Sequence, residues 1–396
     1  MKEKIFNDEH VDKIMGLDED DIIKKYRLYC LKKPRNKEIN FKYGLNILIK
    51  PNFDFNLRPV LVRAKKLLQH PDSVQVYNIL DEEFFKKNKK AEIFFSDIWF
   101  DDDDMLAYLN QVLANDFVFI NIPDDTVSEK PIVIDYAIDS QVISNIFVFA
   151  GKNSRARIFL NIFSDKNPGK NEKSFYSADC VKIVAEENSM IDFISVQNLD
   201  KKSVHIQHRN AICKKDSFVN WYDVSLGSYY TRSLFVSKLE ESGAQSTTTV
   251  LYMVKGNQLL DVYTASIHKA PHTVSDILTR GVLNDEAKAL SRGLVRIEKN
   301  AFGSNGYEKQ EALLLSEKAE ANAIPNLEIN NNEVKCSHGS SIGQLDEEKI
   351  FYVMSRGLNK EQAQKKIIEG YFTPLLEKVD LSVRNKVEKI ILNALE

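Results

Sequence analysis

Cys336 and His338 stand two apart in Lys335-Cys336-Ser337-His338-Gly339, between an Asn-rich turn and a well-marked helix start. Thiolate and imidazole are soft and borderline ligands, suited to iron, zinc or a sulfur-carrying intermediate. On an extended segment alternate residues share a face, so Cys336 and His338 point one way and Lys335 the other. A stable cluster or zinc site takes about four ligands. Two on one chain therefore imply a site that a second chain completes. The bland alternative for Cys336 is a core position, because free cysteine is among the most buried residue types.

Other candidates are weaker. His205 and His208 would share a face only on a helix, and Val204-His205-Ile206 reads as a strand, which predicts solvent-facing side chains. His268 and His272 flank Pro271, and a structural role is expected for both. The acidic run Asp101–Asp104 could hold a hard cation, but it reads better as the negative start of a helix with Asp104 as its cap. No phosphate-binding glycine loop, nucleophile elbow or HExxH helix is present, and the chain shows no catalytic constellation.

The elements that position these residues fall into three zones: a helical region 1–112, a strand-rich core 113–345 and a helical region 346–396. In the first, Asp21–Leu31 places Ile22, Tyr26, Tyr29 and Cys30 on one stripe before Pro34, and Asp104–Leu113 turns Met105, Leu106, Leu109 and Leu113 inward. The core carries short alternating phrases, among them Val142–Phe149, Ala156–Ile162, Met190–Val196, Phe218–Val224 and Thr247–Met253. Polar turn phrases recur near Asn153, Asn188, Asp216 and Glu241, and more loosely near Asn284, Asn300 and Glu317. That ragged period suits a solenoid coil, with a two-sheet sandwich as the alternative. In the last zone Asp346 caps a helix that Gly357 stops, Asn359 with Gln362 begins another, Thr373-Pro374 opens a short third, and a final stripe runs from Val383 through Val387, Ile390 and Ile391 to Ala394 and Leu395.

A chain of 396 residues, 43% hydrophobic with net charge -3, can bury a large core and gives no electrostatic argument for nucleic acid or anionic lipid. Its apolar runs are too short to span a bilayer, and the charged segment Met1–Ile14 lacks a signal-peptide core. Cys30, Cys180, Cys213 and Cys336 form no CxxC pair. The expected setting is cytoplasmic, with reduced thiols.

The segment Ile324–Gly357 as a whole resembles the C-terminal signature of the SufB/SufD family of iron–sulfur cluster assembly scaffolds, and its Lys-Cys-Ser-His-Gly form is similar to the SufD branch. The stretch His272–Asp285 resembles the family's core as well. Over the first hundred residues the likeness is loose, resting on Leu109-Asn110 and the later Asn121-Ile-Pro and Lys130-Pro-Ile phrases. The resemblance implies a mainly β fold, a right-handed parallel β-helix flanked by N- and C-terminal helical regions. It implies a non-catalytic subunit pairing with a SufB-like chain through the β-helix and with the SufC ATPase through the C-terminal helices. Phe351, Tyr352, Arg356, Ile367, Tyr371 and Phe372 are then candidates for the ATPase surface, with core packing the alternative for Phe351 and Tyr352. His338 before Cys336 would serve a transient iron–sulfur cluster at the subunit interface. No cofactor is expected to be held stably by this chain alone, and a reduced flavin in the complex is left open. By the same resemblance, ATP-driven closure of the SufC pair would twist the two β-helices and open their interface to sulfur and iron. Glu311 and Gly339 stand where SufB proteins carry a cysteine and a glutamate, which favours the SufD role. A homodimeric scaffold of the same family and, from another class, a β-helix carbohydrate-active enzyme are the competing readings.

Overall fold

The structure is a computed structural model that describes residues 20–32, 41–43, 47–49, 65–77, 79, 84–100, 104–138, 141–164, 175–376, 379 and 381–394. It is mainly β, a solenoid of about seven turns with helices before and after it. Two nine-stranded sheets face each other. Sheet I runs Lys65–Gln69, Ile132–Ile138, Arg155–Ser164, Met190–Asn198, Phe218–Ser225, Gln245–Val254, Val274–Leu283, Asn305–Leu314, Lys335–Gln344. Sheet II runs Gln75–Tyr77, Asp116–Ile122, Val142–Ala150, Phe175–Ala185, Ser203–Cys213, Tyr230–Leu239, Leu259–His268, Lys288–Ile297, Glu320–Ile329. The chain alternates between the sheets, so each strand pairs in parallel with the one a full coil later. Among the described residues of these two sheets, only the first strand of each pairs antiparallel.

Turn chemistry makes the coils stack. Asn153, Asn188 and Asp216 take the left-handed conformation at successive corners, with φ of 57°, 57° and 53°. Asn and Asp tolerate it better than other residues with a Cβ. The serine after each returns its hydroxyl to the carbonyl three residues back: Ser154 to Gly151 at 2.6 Å, Ser189 to Glu186 at 2.7 Å and Ser217 to Lys214 at 2.8 Å. The corner amides also form a ladder, Asn188 donating to Asn153 and Asn153 to Asp125, 35 and 28 residues earlier. These are the recurring polar phrases of the sequence.

Alternation divides each strand between a lumen face and an outer face. Val181, Ile183, Phe193, Trp221, Phe235, Val250 and Val262 fill the lumen. The outer face of sheet II is covered by α1 (Asp21–Lys32), a short α2 (Phe84–Lys87) and α3 (Met105–Leu113). As expected, Asp104 caps α3, accepting from the Ala107 amide at 3.2 Å; Asp101–Asp103 and Pro34 lie outside the described residues. The first zone is less helical than its sequence suggests. Lys65–Gln69 and Gln75–Tyr77 are strands that close the start of both sheets, a role set by exposed sheet edges and not by local periodicity.

Lys182, on the outer face of sheet II, anchors this cover. Its ammonium donates to Phe94 O at 2.8 Å, Tyr26 Oη at 3.2 Å and Gln111 Oε1 at 3.3 Å, and the rings of Tyr26, Trp99, Phe100 and Phe147 surround it. These acceptors are neutral, and burial lowers the lysine's pKa to about 8 from 10.5. The unfolded chain then binds more protons between about pH 8 and 10.5, so this group's contribution to stability rises with pH across that window. Cys30 and Cys180, pushed up by burial to about 12 and 11, act in the opposite sense from about pH 9. We expect stability to rise by about 1 kcal/mol from pH 7 to 9 on account of Lys182. Denaturant unfolding of wild type and Lys182→Met checks it, because only the wild type should show the rise.

At the other end, α4 (Glu347–Met354), α5 (Lys360–Leu376) and α6 (Leu381–Ala394) follow the last strand. Ile368, Phe372, Leu376, Val383, Val387 and Ile391 pack on Ile194, Leu251 and Val282 of the outer face of sheet I. Asp346 caps α4 through the Glu348 amide at 2.9 Å, and Gly357 ends the turn after it at φ 95°. Asn359 and Gln362 form a reciprocal capping box at 2.9 and 3.0 Å. The helix expected to begin at Thr373-Pro374 does not: α5 runs straight through both residues. Docking of Phe372 and Leu376 on the sheet holds the helix on course despite the proline.

Candidate functional site

The last rung of sheet I is Lys335–Gln344, and register places its chemistry. Cys336 pairs with Gly306, His338 with Glu308 and Ser340 with Gln310. Glu308 and Gln310 are buried on the lumen side, so Cys336, His338 and Ser340 line the lumen at its open end. Cys336 is half-buried and His338 exposed because no further coil covers this rung. Alternation thus brings the two residues to one face, as the sequence implies.

Burial, and then Glu308, raise the Cys336 thiol above its ordinary value. A metal or a partner's positive charge beside it would act in the opposite sense and favour the thiolate. Behind it Gly306 keeps a gap: a Cβ there would sit 3.4 Å from Cys336 Sγ, 3.5 Å from His268 Nε2 and 2.6 Å from Val295. His268 is buried in the lumen with both ring nitrogens engaged, Nδ1 by Thr273 Oγ1 and Nε2 by Ser275 Oγ, each at 2.8 Å. Burial lowers its pKa to about 4, so it is neutral. His272 lies outside on a left-handed corner, its ring against Phe302. Neither belongs to a group gathered for a metal among the described residues.

His205 and His208 depart from expectation, for neither faces solvent. They lie on opposite faces of strand Ser203–Cys213, and both are buried. His205 points into the lumen with Nε2 3.0 Å from Asp179. His208 points outward under the N-terminal cover, 3.2 Å from Asp104. A strand position says which face a residue takes, but nothing local says that both faces of sheet II are covered.

Sequence reasoning missed Glu308. It is fully buried, with one oxygen receiving the Gln310 amide and the other without a partner. Gly293 makes room for it, since a Cβ there would fall 1.4 Å from Glu308 Oε1. Burial pushes its pKa up to about 7. Counting back one coil from His338 would have found it. Glu311 faces outward instead, where Arg280 Nε bonds it at 2.8 Å and Lys309 pairs with it at 2.8 Å. Among the described residues no group of three His, Cys, Asp or Glu is gathered for a metal.

The C-terminal candidates separate into two kinds. Phe351 is 74% exposed and Tyr352 60%, and Arg356 is exposed, with its guanidinium 5.3 Å from the Tyr352 ring centre and Nη2 bonded to its hydroxyl at 3.0 Å. Phe372, by contrast, is buried on sheet I, and Tyr371 lies under Arg280, which bonds its carbonyl at 2.8 Å. Those two pack α5 on the sheet, Phe372 buried and Tyr371, like Ile367, half-buried.

The two-sheet parallel arrangement, with a final rung that presents cysteine and histidine on the lumen side, defines the class as a parallel β-solenoid. Residues 134–371 match the family model described as SUF system FeS cluster assembly, SufBD core domain, and the chain belongs to that family. It is 26% identical over 295 residues to the iron–sulfur cluster assembly protein SufD of Bacillus subtilis, covering 73% of this chain and 67% of that protein. It is 24% identical over 318 residues to a SufBD family protein of Staphylococcus saprophyticus and 23% over 314 to one of Staphylococcus aureus, covering 78% of this chain and 65% of each relative. The chain thus spans about two thirds of the length of these relatives. No helix among the described residues is long and apolar enough to cross a membrane.

Proposed function

We propose that this chain is a SufD-like, non-catalytic scaffold subunit that completes a nascent iron–sulfur cluster site with a SufB-like partner at the open end of its solenoid. The observation that carries the reading is the final rung: an uncovered edge strand with Cys336 and His338 on its lumen side. An exposed edge invites pairing by another chain, and two ligands fall short of the four a cluster takes. His338 is the leading ligand, because its side chain is exposed while Cys336 is half-buried and burial, then Glu308, raise its thiol above the ordinary value. The exposed Phe351, Tyr352 and Arg356 of the α4 segment form the surface offered to a SufC-like ATPase. The cluster is cargo, loaded and passed on. A reduced flavin, if the assembly uses one, would belong to the complex.

Anaerobic co-expression with SufB-like and SufC-like chains, followed by cluster reconstitution, tests this. His338→Ala should leave the complex intact and lower cluster yield about tenfold or more. Normal loading by the mutant would sink the assignment of His338. Loading by this chain alone, as a dimer, would put the homodimeric scaffold in place of the heteromeric one.

A further inference from the structure

Arg280 stands on the outer face of sheet I, where it meets both the last coils and α5. Its Nε and Nη2 donate to Glu311 Oε2, the former at 2.8 Å, and its Nη1 donates to the Tyr371 carbonyl at 2.8 Å. The guanidinium also lies 4.6 Å from the Tyr371 ring centre, and Lys309 takes the other Glu311 oxygen at 2.8 Å. The Arg280 and Glu311 side chains are 17% and 15% exposed, so their charge-assisted bonds are shielded from most of the solvent. Register sets Arg280, Glu311 and Ser341 side by side on successive rungs, the last of them the rung of Cys336 and His338. The clamp falls on the turn that Pro374 weakens, since proline has no amide to give the Gly370 carbonyl four residues back.

Between that rung and the clamp, α4 has little packing of its own. The Leu345 amide bonds Leu314 O at 3.0 Å and Asp346 caps α4, which leaves no slack between the final strand and the helix. Among the described residues of α4 only Ile350 is buried. The apolar contact of α5 and α6 with sheet I is non-directional. α4 is therefore suspended between two fixed points on one sheet, the final rung and Arg280. We infer that Arg280, aimed by Glu311, is a positioning residue that couples the α4 segment to the final rung, so that an ATPase chain engaging α4 alters the surroundings of Cys336 and His338. The inference rests on the proposed ATPase surface and deepens it, naming the route by which occupancy there reaches the cluster rung.

Cys336 can report the coupling, being half-buried while Cys30, Cys180 and Cys213 are buried. Adding a SufC-like chain to the full-length protein should change the rate at which a maleimide alkylates Cys336 by about fivefold or more. Arg280→Met should abolish that change while still capturing the SufC-like chain as wild type does. Glu311→Gln, which releases the guanidinium from its aim and leaves the apolar docking alone, should reduce the change too, and it decides the matter if thermal melts show that Arg280→Met undocks the helices. Lys386→Met removes another polar tie of these helices, to Asp135, and should leave the change intact. If Arg280→Met and Glu311→Gln both keep the wild-type change, or Lys386→Met abolishes it equally, the inference falls and the ATPase surface stands. A wild type that captures the SufC-like chain with no change at Cys336 overturns it in the same way. Failure of the wild type to capture that chain at all sinks the α4 reading itself, and the inference with it.

Discussion

Arg209→Met should destabilise the solenoid by about 3–5 kcal/mol, the cost of leaving a buried carboxylate without its partner. Arg209 and Asp179 are both buried in the lumen, paired through Nη1 and Oδ2. Nη2 reaches Gln207 Oε1 at 2.9 Å, and His205 approaches the other Asp179 oxygen at 3.0 Å. Burial alone would raise the Asp179 carboxyl, but Arg209 and His205 outweigh it and hold the carboxyl below its ordinary value. Asp223, a little further along, goes the other way: burial raises it despite Arg209, Ser195 and Ser225. The guanidinium thus favours the ionised form of Asp179, its direct partner, more than that of Asp223. In a stacked array each coil contacts only its neighbours, so an uncompensated charge in the middle should split one unfolding transition into two. The double variant Arg209→Met with Asp179→Leu should recover most of the loss, as buried pairs replaced by apolar residues usually do. Denaturant melts of the three proteins check both statements, and a double variant no better than Arg209→Met alone would refute the ion-pair account.

This pair also shows where sequence reading stops. The turn phrases near Asn153, Asn188 and Asp216 were legible because left-handed corners demand particular residues. Asn153, Asn188, Asp216 and Glu241 all lie where the chain passes from sheet II to sheet I, so their uneven spacing reflects coils of unequal length. The looser phrases near Asn284 and Glu317 lie at the opposite corner, between sheet I and sheet II, where a second set of corners was being counted with the first. Strand alternation placed Cys336 and His338 on one face without help from the fold. It could not show that His205 lies opposite Asp179 or that Glu308 lies behind His338, since those contacts are made between coils. The buried state of His208 depends on α3, whose Asp104 reads locally as nothing more than a helix cap.

The same distinction, between what an aromatic residue does for this chain and what it offers to another, yields the second large effect. Phe372→Ala should cost about 3 kcal/mol or more, because the ring is buried against Leu251, Val282 and their neighbours on sheet I and its loss leaves a cavity. The cost is limited by undocking of α5 and α6, which Arg280 at the Tyr371 carbonyl and Lys386 at Asp135, 2.8 and 2.9 Å away, would resist. Phe351→Ala with Tyr352→Ala should change stability by no more than about 0.5 kcal/mol, as exposed positions do. If the α4 segment is the ATPase surface, that double variant should weaken capture of a SufC-like chain by about 30-fold or more, the loss expected of central aromatic contacts. Phe372→Ala should weaken capture only as far as it undocks the helices. Thermal melts and binding titrations on both variants separate the two roles. Unimpaired binding by the Phe351 and Tyr352 variant would move the partner surface off α4, because Phe372 and Tyr371 already serve as packing on the solenoid.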